Sequence, residues 1–464
     1  MLDQPTNGKE RPSDAATAQR RHLPAAGILP AIALAVAVGA VSTLWDGSPW
    51  LGVGAAVGGL ALTMALFIGG MGAMTFTLAA AGAFTVSMLS LRVGPVSLAD
   101  TLFALSLIPT TAGLTRDPVN RNELGRYLPV AVLTCLTVAG GLGGSFTATD
   151  QVTSMAELGR FTASTLLLIV IIALWSPSRE MVRRLMWIAL LGVCVHVLIA
   201  MFIRDPNGRA LGLATHPNHL GLSSALAIGL ALGLVMSSRR RMHWALGGLA
   251  LAILGLGIVM SGSRAAALAA AVTVVTFLIA TRSWKLIAWG AVVLAVAAGL
   301  VTLKVVDLGE QNALTRLAGD RSAELSNRER VRAYDEALTA ITENPLTGGG
   351  FTSAKAAHSI YLQLWVSAGL LGLVFVFGLG VVALKALLRA RTRGDLTSLG
   401  LAAGYLGYLA AGFVTNQLWD RYIWLHLCLL LALQAKYRDS AATDPKLSDW
   451  SRAGVIPIRV NRSA

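Results

Sequence analysis

Apolar runs of about 20 residues recur along almost the whole chain, and each has the length of a helix that crosses a bilayer. Fourteen such runs begin near residues 26, 49, 71, 95, 127, 160, 184, 218, 243, 265, 285, 359, 397 and 420. Only GGMG separates the second from the third, so the pattern fits 12 to 14 transmembrane helices. The expected fold class is all-α, a polytopic membrane protein with one large external loop. That loop is the long hydrophilic interruption, 305–357, which carries NRERVRAYDEAL and NPLTGGG and is followed by His358. The chain then divides into a disordered cytoplasmic tail (1–24), helices 1–11 (25–304), the loop (305–357), helices 12–14 (358–436) and a second cytoplasmic tail (437–464). The long polar leader favours an uncleaved first helix over a signal peptide.

Within the loop, Ser326 and Glu329 have the S-x-x-E spacing of a capping box, so a helix is expected to start there and to stop before Pro345. Val331, Tyr334, Leu338 and Ile341 make a narrow apolar stripe along it. Arg330 falls at the edge of that stripe and faces the membrane frame, whereas Arg328 and Arg332 point away. The plainer alternative is that Arg330 pairs with Asp335 or Glu336 as surface charge. NPLTGGGF combines a helix-stopping proline with three glycines, which permit unusual backbone angles and close approach to another group. It lacks the lysine and hydroxyl of a phosphate-cradling loop and reads as a flexible turn.

Two shorter connections carry further polar residues. In RDPNGRALGLATHPNHLG, Pro217 and Asn218 look like a helix start with Asn218 as N-cap. His216 and His219 lack a third ligand for zinc and read as a polar edge. The sequence SGSR around Ser263 forms a tight hairpin that sets Arg264 at a helix N-terminus, where anions are favoured. The alternative for Arg264 is snorkelling to lipid headgroups.

Composition agrees with the hydropathy pattern: 55% of residues are hydrophobic and 13% charged, which excludes an ordinary soluble domain. The net charge of +14 does not point to nucleic acid, because the basic residues form small clusters between apolar runs. Read by the positive-inside rule, 25 of the 38 basic residues fall on the cytoplasmic side together with both termini. The other 13 lie on the external face, several in or beside the long loop. Cys135, Cys194 and Cys428 fall inside spans and read as small buried residues.

The order of these motifs resembles the O-antigen ligase and O-antigen polymerase superfamily of bacterial membrane glycosyltransferases. Arg209, Gly212, Pro217 and Asn218 fit its first element, and Ser263 with Arg264 the second. Arg330, Tyr334, Ala337, Leu338, Pro345, Gly348 and Gly350 fit the next two, with Tyr334 where tryptophan is usual. His358, Tyr361, Leu362, Gly369, Leu370 and Gly372 fit the last. The resemblance spans roughly residues 204–380.

It implies transfer of a glycan from polyprenyl pyrophosphate to an acceptor hydroxyl at the outer face of the cytoplasmic membrane, without cofactor or metal. Arg209, Arg264 and Arg330 would hold the pyrophosphate through paired hydrogen bonds. His358 would deprotonate or orient the hydroxyl, and a single in-line displacement would invert the anomeric carbon. Partners would be the lipid-linked donor, a saccharide or lipid-glycan acceptor, and membrane lipids, with no nucleic acid. Asn218, Tyr334, Tyr361, Asp100 and His426 are further candidates for lining the cavity, Asp100 chiefly as a buried polar partner and His426 chiefly as a packing residue. Asp46 and Asp100 keep open a plan built on an acidic residue in an early loop. A transporter or lipid-linked oligosaccharide flippase is the alternative function. It would be expected to show repeated halves or midplane charges, and the sequence has no convincing repeat. Ligase and polymerase differ only in acceptor, which the sequence does not specify.

Overall fold

A computed structural model describes residues 69–93, 96–114, 124–282, 312–317, 321–352 and 357–443. The expected spans near residues 26, 49 and 285, the tail 1–24 and Asp46 lie outside the described residues.

Residues 69–85 are helical (α1). A minimal antiparallel hairpin follows, β1 (Arg92–Val93) and β2 (Val96–Ser97), with Arg92 opposite Ser97. Helices α2 (Leu98–Leu114), α3 (Leu128–Thr147), α4 (Gln151–Trp175), α5 (Arg179–Ala200), α6 (Pro217–Met236), α7 (Arg241–Met260) and α8 (Arg264–Thr281) come next. After them stand a single turn α9 (Ala313–Leu317), then α10 (Arg321–Glu343), α11 (Ile360–Arg393), α12 (Leu396–Ala411) and α13 (Arg421–Thr443). Seven of these, α3 to α8 and α11, are long and apolar enough to cross a membrane. Shorter apolar helices occupy Leu98–Gly113, Leu396–Ala411 and Arg421–Gln434. The fold is all-α and polytopic, as the periodicity of the sequence predicts.

Helix α6 forms the axis of the bundle and packs against α5, α7, α8 and α12. It can do so because its contact with α12 is made of glycine. A Cβ on Gly229 would meet the Gly400 carbonyl at 2.5 Å, and one on Gly400 would meet the Gly229 carbonyl at 2.4 Å. Small residues let two backbones approach this closely, and the packing gained holds helices together where lipid gives no hydrophobic drive. Helices α7 and α8 show the opposite face. Leu246, Leu249, Val275 and Ile279 lie on their exposed sides, a surface suited to hydrocarbon rather than water.

The connections alternate between the two ends of the bundle. The α4–α5, α6–α7 and α11–α12 links share one end, where Arg179 pairs with Asp395 at 2.7 Å and Arg183 reaches the Ser237 hydroxyl. The α5–α6, α7–α8 and α12–α13 links share the other, and α10 lies across it.

Helix α10 departs from expectation in two ways. It begins at Arg321, so Ser326 lies inside the helix and forms no capping box. Its buried residues are Ala333, Ala337 and Ile341, each 6% exposed, while Val331 and Leu338 are 59% and 50% exposed. The helix docks against Ala357 and Val366 through Ala337 and Ile341. The buried stripe therefore turns toward Arg330 and away from the largest apolar residues. The helix ends at Glu343, before Pro345, as expected.

Helix α11 is broken at Gly369, whose φ of +62° lies in the left-handed region. The glycine segment after α10 fills that break. Gly349 N–H donates to the Val366 carbonyl at 2.7 Å, and Leu370 N–H donates to the Leu346 carbonyl at 3.2 Å. Backbone groups freed by the kink thus find partners in the NPLTGGG loop. The segment is not the free turn that its composition suggests, but a plug seated in a helix.

Candidate active site

The end of the bundle covered by α10 holds a cavity of about 840 Å³. Its basic wall is assembled from three separate stretches of chain.

Arg209 comes from the α5–α6 link. There Asp205 Oδ1 accepts from the backbone N–H groups of Asn207 and Arg209, and Gly208 turns at φ +76°. This tight turn sends the Arg209 side chain inward, where it is only 8% exposed. Its Nε donates to the Ser261 carbonyl and one terminal nitrogen to Asn218 Oδ1, both at 2.8 Å. Burial and the charge of Arg316 push its pKa down to about 10, against the pull of Asp205, and a guanidinium there is still charged at neutral pH. Asn218 is not the N-cap of α6. That role falls to His216, whose Nδ1 accepts from the Asn218 N–H at 3.1 Å, because the Asn218 side chain is engaged by Arg209. Burial and the neighbouring Arg209 charge bring the His216 pKa down to about 4, so its ring is neutral and free to accept at the cap.

The hairpin 261–263 ends α7 and starts α8, with the Ser263 hydroxyl capping the Ala266 N–H. Arg264 stands at the N-terminal residue of α8, as expected. Its guanidinium reaches Asn327 Oδ1 at 2.6 Å and so ties α8 to α10. It does not line the cavity, but it adds to the field at Arg330. The hairpin carbonyls hold two other arginines: Ser261 takes Arg209, and Gly262 takes Arg316 at 2.8 Å. Arg316, on α9, is 7% exposed and lines the cavity. Sequence reading missed it as an individual residue. Its one signal was membership of the externally placed basic set.

On α10 the three arginines separate as expected. Arg328 pairs with Glu324 at 2.6 Å and Arg332 with Glu336 at 2.9 Å, both on the exposed face. Arg330 is half-buried on the cavity wall, and its Nε is buried without a hydrogen-bond partner among the described residues. Burial and the charge of Arg264 lower its pKa. The ordinary surface pairing with Asp335 or Glu336 is not made, since Glu336 is taken by Arg332.

His358 stands just before the first turn of α11, at φ +47°, and lines the same cavity. Burial and the charge of Arg330 lower its pKa, with Glu329 opposing. A lowered pKa keeps the imidazole neutral at pH 7, which is the form that accepts a proton.

Four candidates lie elsewhere. Tyr334 donates to the Phe413 carbonyl and Tyr361 to the Leu409 carbonyl, each at 3.0 Å. Tyr361 also stacks on Phe413 at 4.2 Å between ring centroids. Both therefore anchor α10 and α11 to the end of α12 and do not line the cavity. His426 is buried inside the bundle against the Leu401 carbonyl, away from the site, in the packing role its position within a span suggests. Asp100 pairs with Arg421 in a side chamber of about 250 Å³.

A further part of the cavity wall was not anticipated. The link 414–420 between α12 and α13 contributes Trp419 and Asp420, and α4 contributes Glu157 and Arg160. His219 Nδ1 bonds Asp420 Oδ2 at 2.6 Å. Gln363, 3% exposed on the first turn of α11, also lines the cavity. Among the described residues, no three His, Cys, Asp or Glu side chains gather as a metal site.

No match to the chain is found among curated proteins. Residues 249–377 match the family model described as O-antigen ligase. That span includes Arg264, Arg316, Arg330 and His358, whereas Arg209, Asn218 and Asp420 come from outside it. The match bears out the resemblance drawn from the motifs: this segment is similar to the O-antigen ligase family, which supports O-antigen ligase-like glycan transfer in general.

Proposed function

We propose that the protein transfers a glycan from polyprenyl pyrophosphate to an acceptor hydroxyl at the outer face of the bacterial cytoplasmic membrane, as a ligase or a polymerase. The observation that carries this reading is the convergence of Arg209, Arg316 and Arg330, from three elements, on the cavity that His358 also lines. Arginines sharing one buried wall repel one another, and an anionic ligand relieves that repulsion. A pyrophosphate has the charge and the oxygens for such a set. Arg264 supports it from behind by strengthening the field at Arg330.

In the reaction the acceptor oxygen forms a bond to the anomeric carbon as the bond from that carbon to the pyrophosphate oxygen breaks. Polyprenyl pyrophosphate leaves with the electron pair, stabilised by the guanidinium groups. Neutral His358 takes the hydroxyl proton and later releases it to water. A single displacement inverts the anomeric carbon. The arginines supply the positive charge that a metal supplies elsewhere, so we propose that no metal is required. The bias of basic residues between spans supports a cytoplasmic position for both termini.

Purified protein supplied with a polyprenyl-pyrophosphate glycan and candidate acceptors tests the proposal. Arg330→Ala and His358→Ala should each abolish transfer while the protein still inserts into the membrane. Full activity in both variants would overturn the site assignment. Analysis of the products distinguishes a growing polymer from a single transfer.

A further inference from the structure

The end of the bundle remote from the cavity carries a cluster of arginines that the proposed chemistry does not use. Helix α7 has 20 residues and is therefore about 30 Å long, the thickness of the hydrocarbon core of a bilayer. It ends at the 261–263 hairpin, which holds Arg209 and Arg316 on the cavity wall. Its start, with the α6–α7 turn before it, therefore stands at the headgroup level of the other leaflet.

That turn is fixed by its own bonds. Ser238 Oγ accepts from the Arg240 N–H at 3.2 Å and pairs with His243 Nδ1 at 2.6 Å, and the Ser238 carbonyl accepts from Trp244 Nε1 at 3.1 Å. Arg183 of α5, half-buried, donates to Ser237 Oγ at 3.3 Å. One turn further along α5, Trp187 packs against the His243 ring at 5.4 Å between centroids. Four arginines, Arg183 and the exposed Arg239, Arg240 and Arg241, thus stand at one short turn. None of them pairs with a carboxylate among the described residues, whereas Arg179 and Arg184 at the same end pair with Asp395 and Glu180.

The apolar surface beside the turn narrows the choice of partner. Met242, Leu246 and Leu249 are exposed and, spaced i, i+4 and i+7, share one side of α7. Guanidinium groups that run directly into an apolar strip match a molecule with a phosphate at one end and a hydrocarbon chain at the other. A guanidinium pairs with phosphate through two parallel hydrogen bonds, and the phosphate brings the countercharge that no described carboxylate supplies there. A water-soluble acidic partner has no counterpart for the strip. Trp187 and Trp244 complete the setting, since indole rings favour the membrane interface.

We infer that this turn binds an anionic phospholipid, with Arg183, Arg239, Arg240 and Arg241 around its phosphate and its acyl chain along Met242, Leu246 and Leu249. The lipid bridges α5 and the start of α7. The site is separate from the cavity and does not depend on the glycan-transfer reading.

The full chain in detergent micelles, titrated with dioleoyl phosphatidylglycerol or dioleoyl phosphatidylcholine and followed by native mass spectrometry, tests the site. Phosphatidylglycerol should bind at least about tenfold more tightly than phosphatidylcholine. Arg239→Gln, Arg240→Gln and Arg241→Gln combined should abolish that preference, and Arg183→Gln alone should reduce it about threefold. Because the three substituted side chains are exposed, the triple variant should melt in lipid-free detergent as the parent does. A matched control removes three charges from α11 at the same end, through Lys385→Gln, Arg389→Gln and Arg391→Gln. Those charges are spread over about two turns of one helix, and the preference should stay within about twofold of the parent. Equal loss in the two triple variants would overturn the site and leave only the general positive charge of this end. So would equal binding of the two lipids by the parent, or displacement of phosphatidylglycerol by glycerol 3-phosphate at matched concentration, which has the phosphate and no chain.

Discussion

Arginines gather at both ends of the bundle, but they are held in opposite ways. At one end Arg179 is 38% exposed and spans the α4–α5 and α11–α12 links through Asp395, while Arg184 pairs with Glu180 one turn away. Each of these two has a carboxylate. At the other end Arg209 and Arg316 are 8% and 7% exposed and are tied to main-chain carbonyls of the 261–263 hairpin. Those carbonyls hold the two guanidinium groups on the cavity wall. Identical residues therefore close the fold through carboxylates at one end and line the cavity at the other.

Substitutions at the two ends sharpen that contrast. The largest effect is expected for His358→Ala, a loss of about 10² to 10⁴ in kcat/KM if the imidazole takes the proton of the acceptor. Arg330→Ala follows at about 10² to 10³, the usual loss when one preorganised donor to developing charge is removed. Transfer within threefold of the parent in either variant breaks the assignment. Arg330→Lys keeps the charge and loses the planar fork, and should recover part of that activity, leaving a deficit of about tenfold. Arg179→Ala should act only on stability. It leaves Asp395 buried but still accepting from Ser398, so unfolding should become easier by about 1–3 kcal/mol, with transfer per folded molecule unchanged.

The acid limb of the pH profile gives a finer test. The His358 pKa is lowered by burial and by Arg330, so the neutral, proton-accepting form persists below the ordinary value of about 6.5. Transfer should stay level as pH falls to about 6.5 and decline only below it. Arg330→Gln removes one cause of the lowering, and its acid limb should move up toward the ordinary value. A limb that does not move would mean that another group titrates.

Much of the site could be read from local pattern. The spacing of charge and apolar residues along NRERVRAYDEAL separates Arg330 from Arg328 and Arg332, because three residues on one helix must point in calculable directions. The Ser-Gly-Ser-Arg turn likewise places Arg264 at a helix start. Local pattern misled where docking decided the outcome. Large apolar residues suggested a stripe through Val331 and Leu338, yet the buried residues are Ala333, Ala337 and Ile341, the last two packed with Val366 of α11. Asn218 has the character of an N-cap, yet Arg209 claims its side chain and His216 caps instead.

The sequence by itself determined the all-α membrane architecture, the break between apolar frame and polar loop, and four of the cavity's residues, Arg209, Asn218, Arg330 and His358, as members of one ordered motif set. Helical periodicity and bilayer thickness act on neighbouring residues, so these features are written locally. Only the tertiary structure decided which other groups share the cavity. Arg316 joins through the Gly262 carbonyl, 54 positions away, and Asp420 meets His219 across 201. Contacts at that separation depend on how glycine-lined helices such as α6 and α12 settle against each other, and no stretch of sequence encodes that alone.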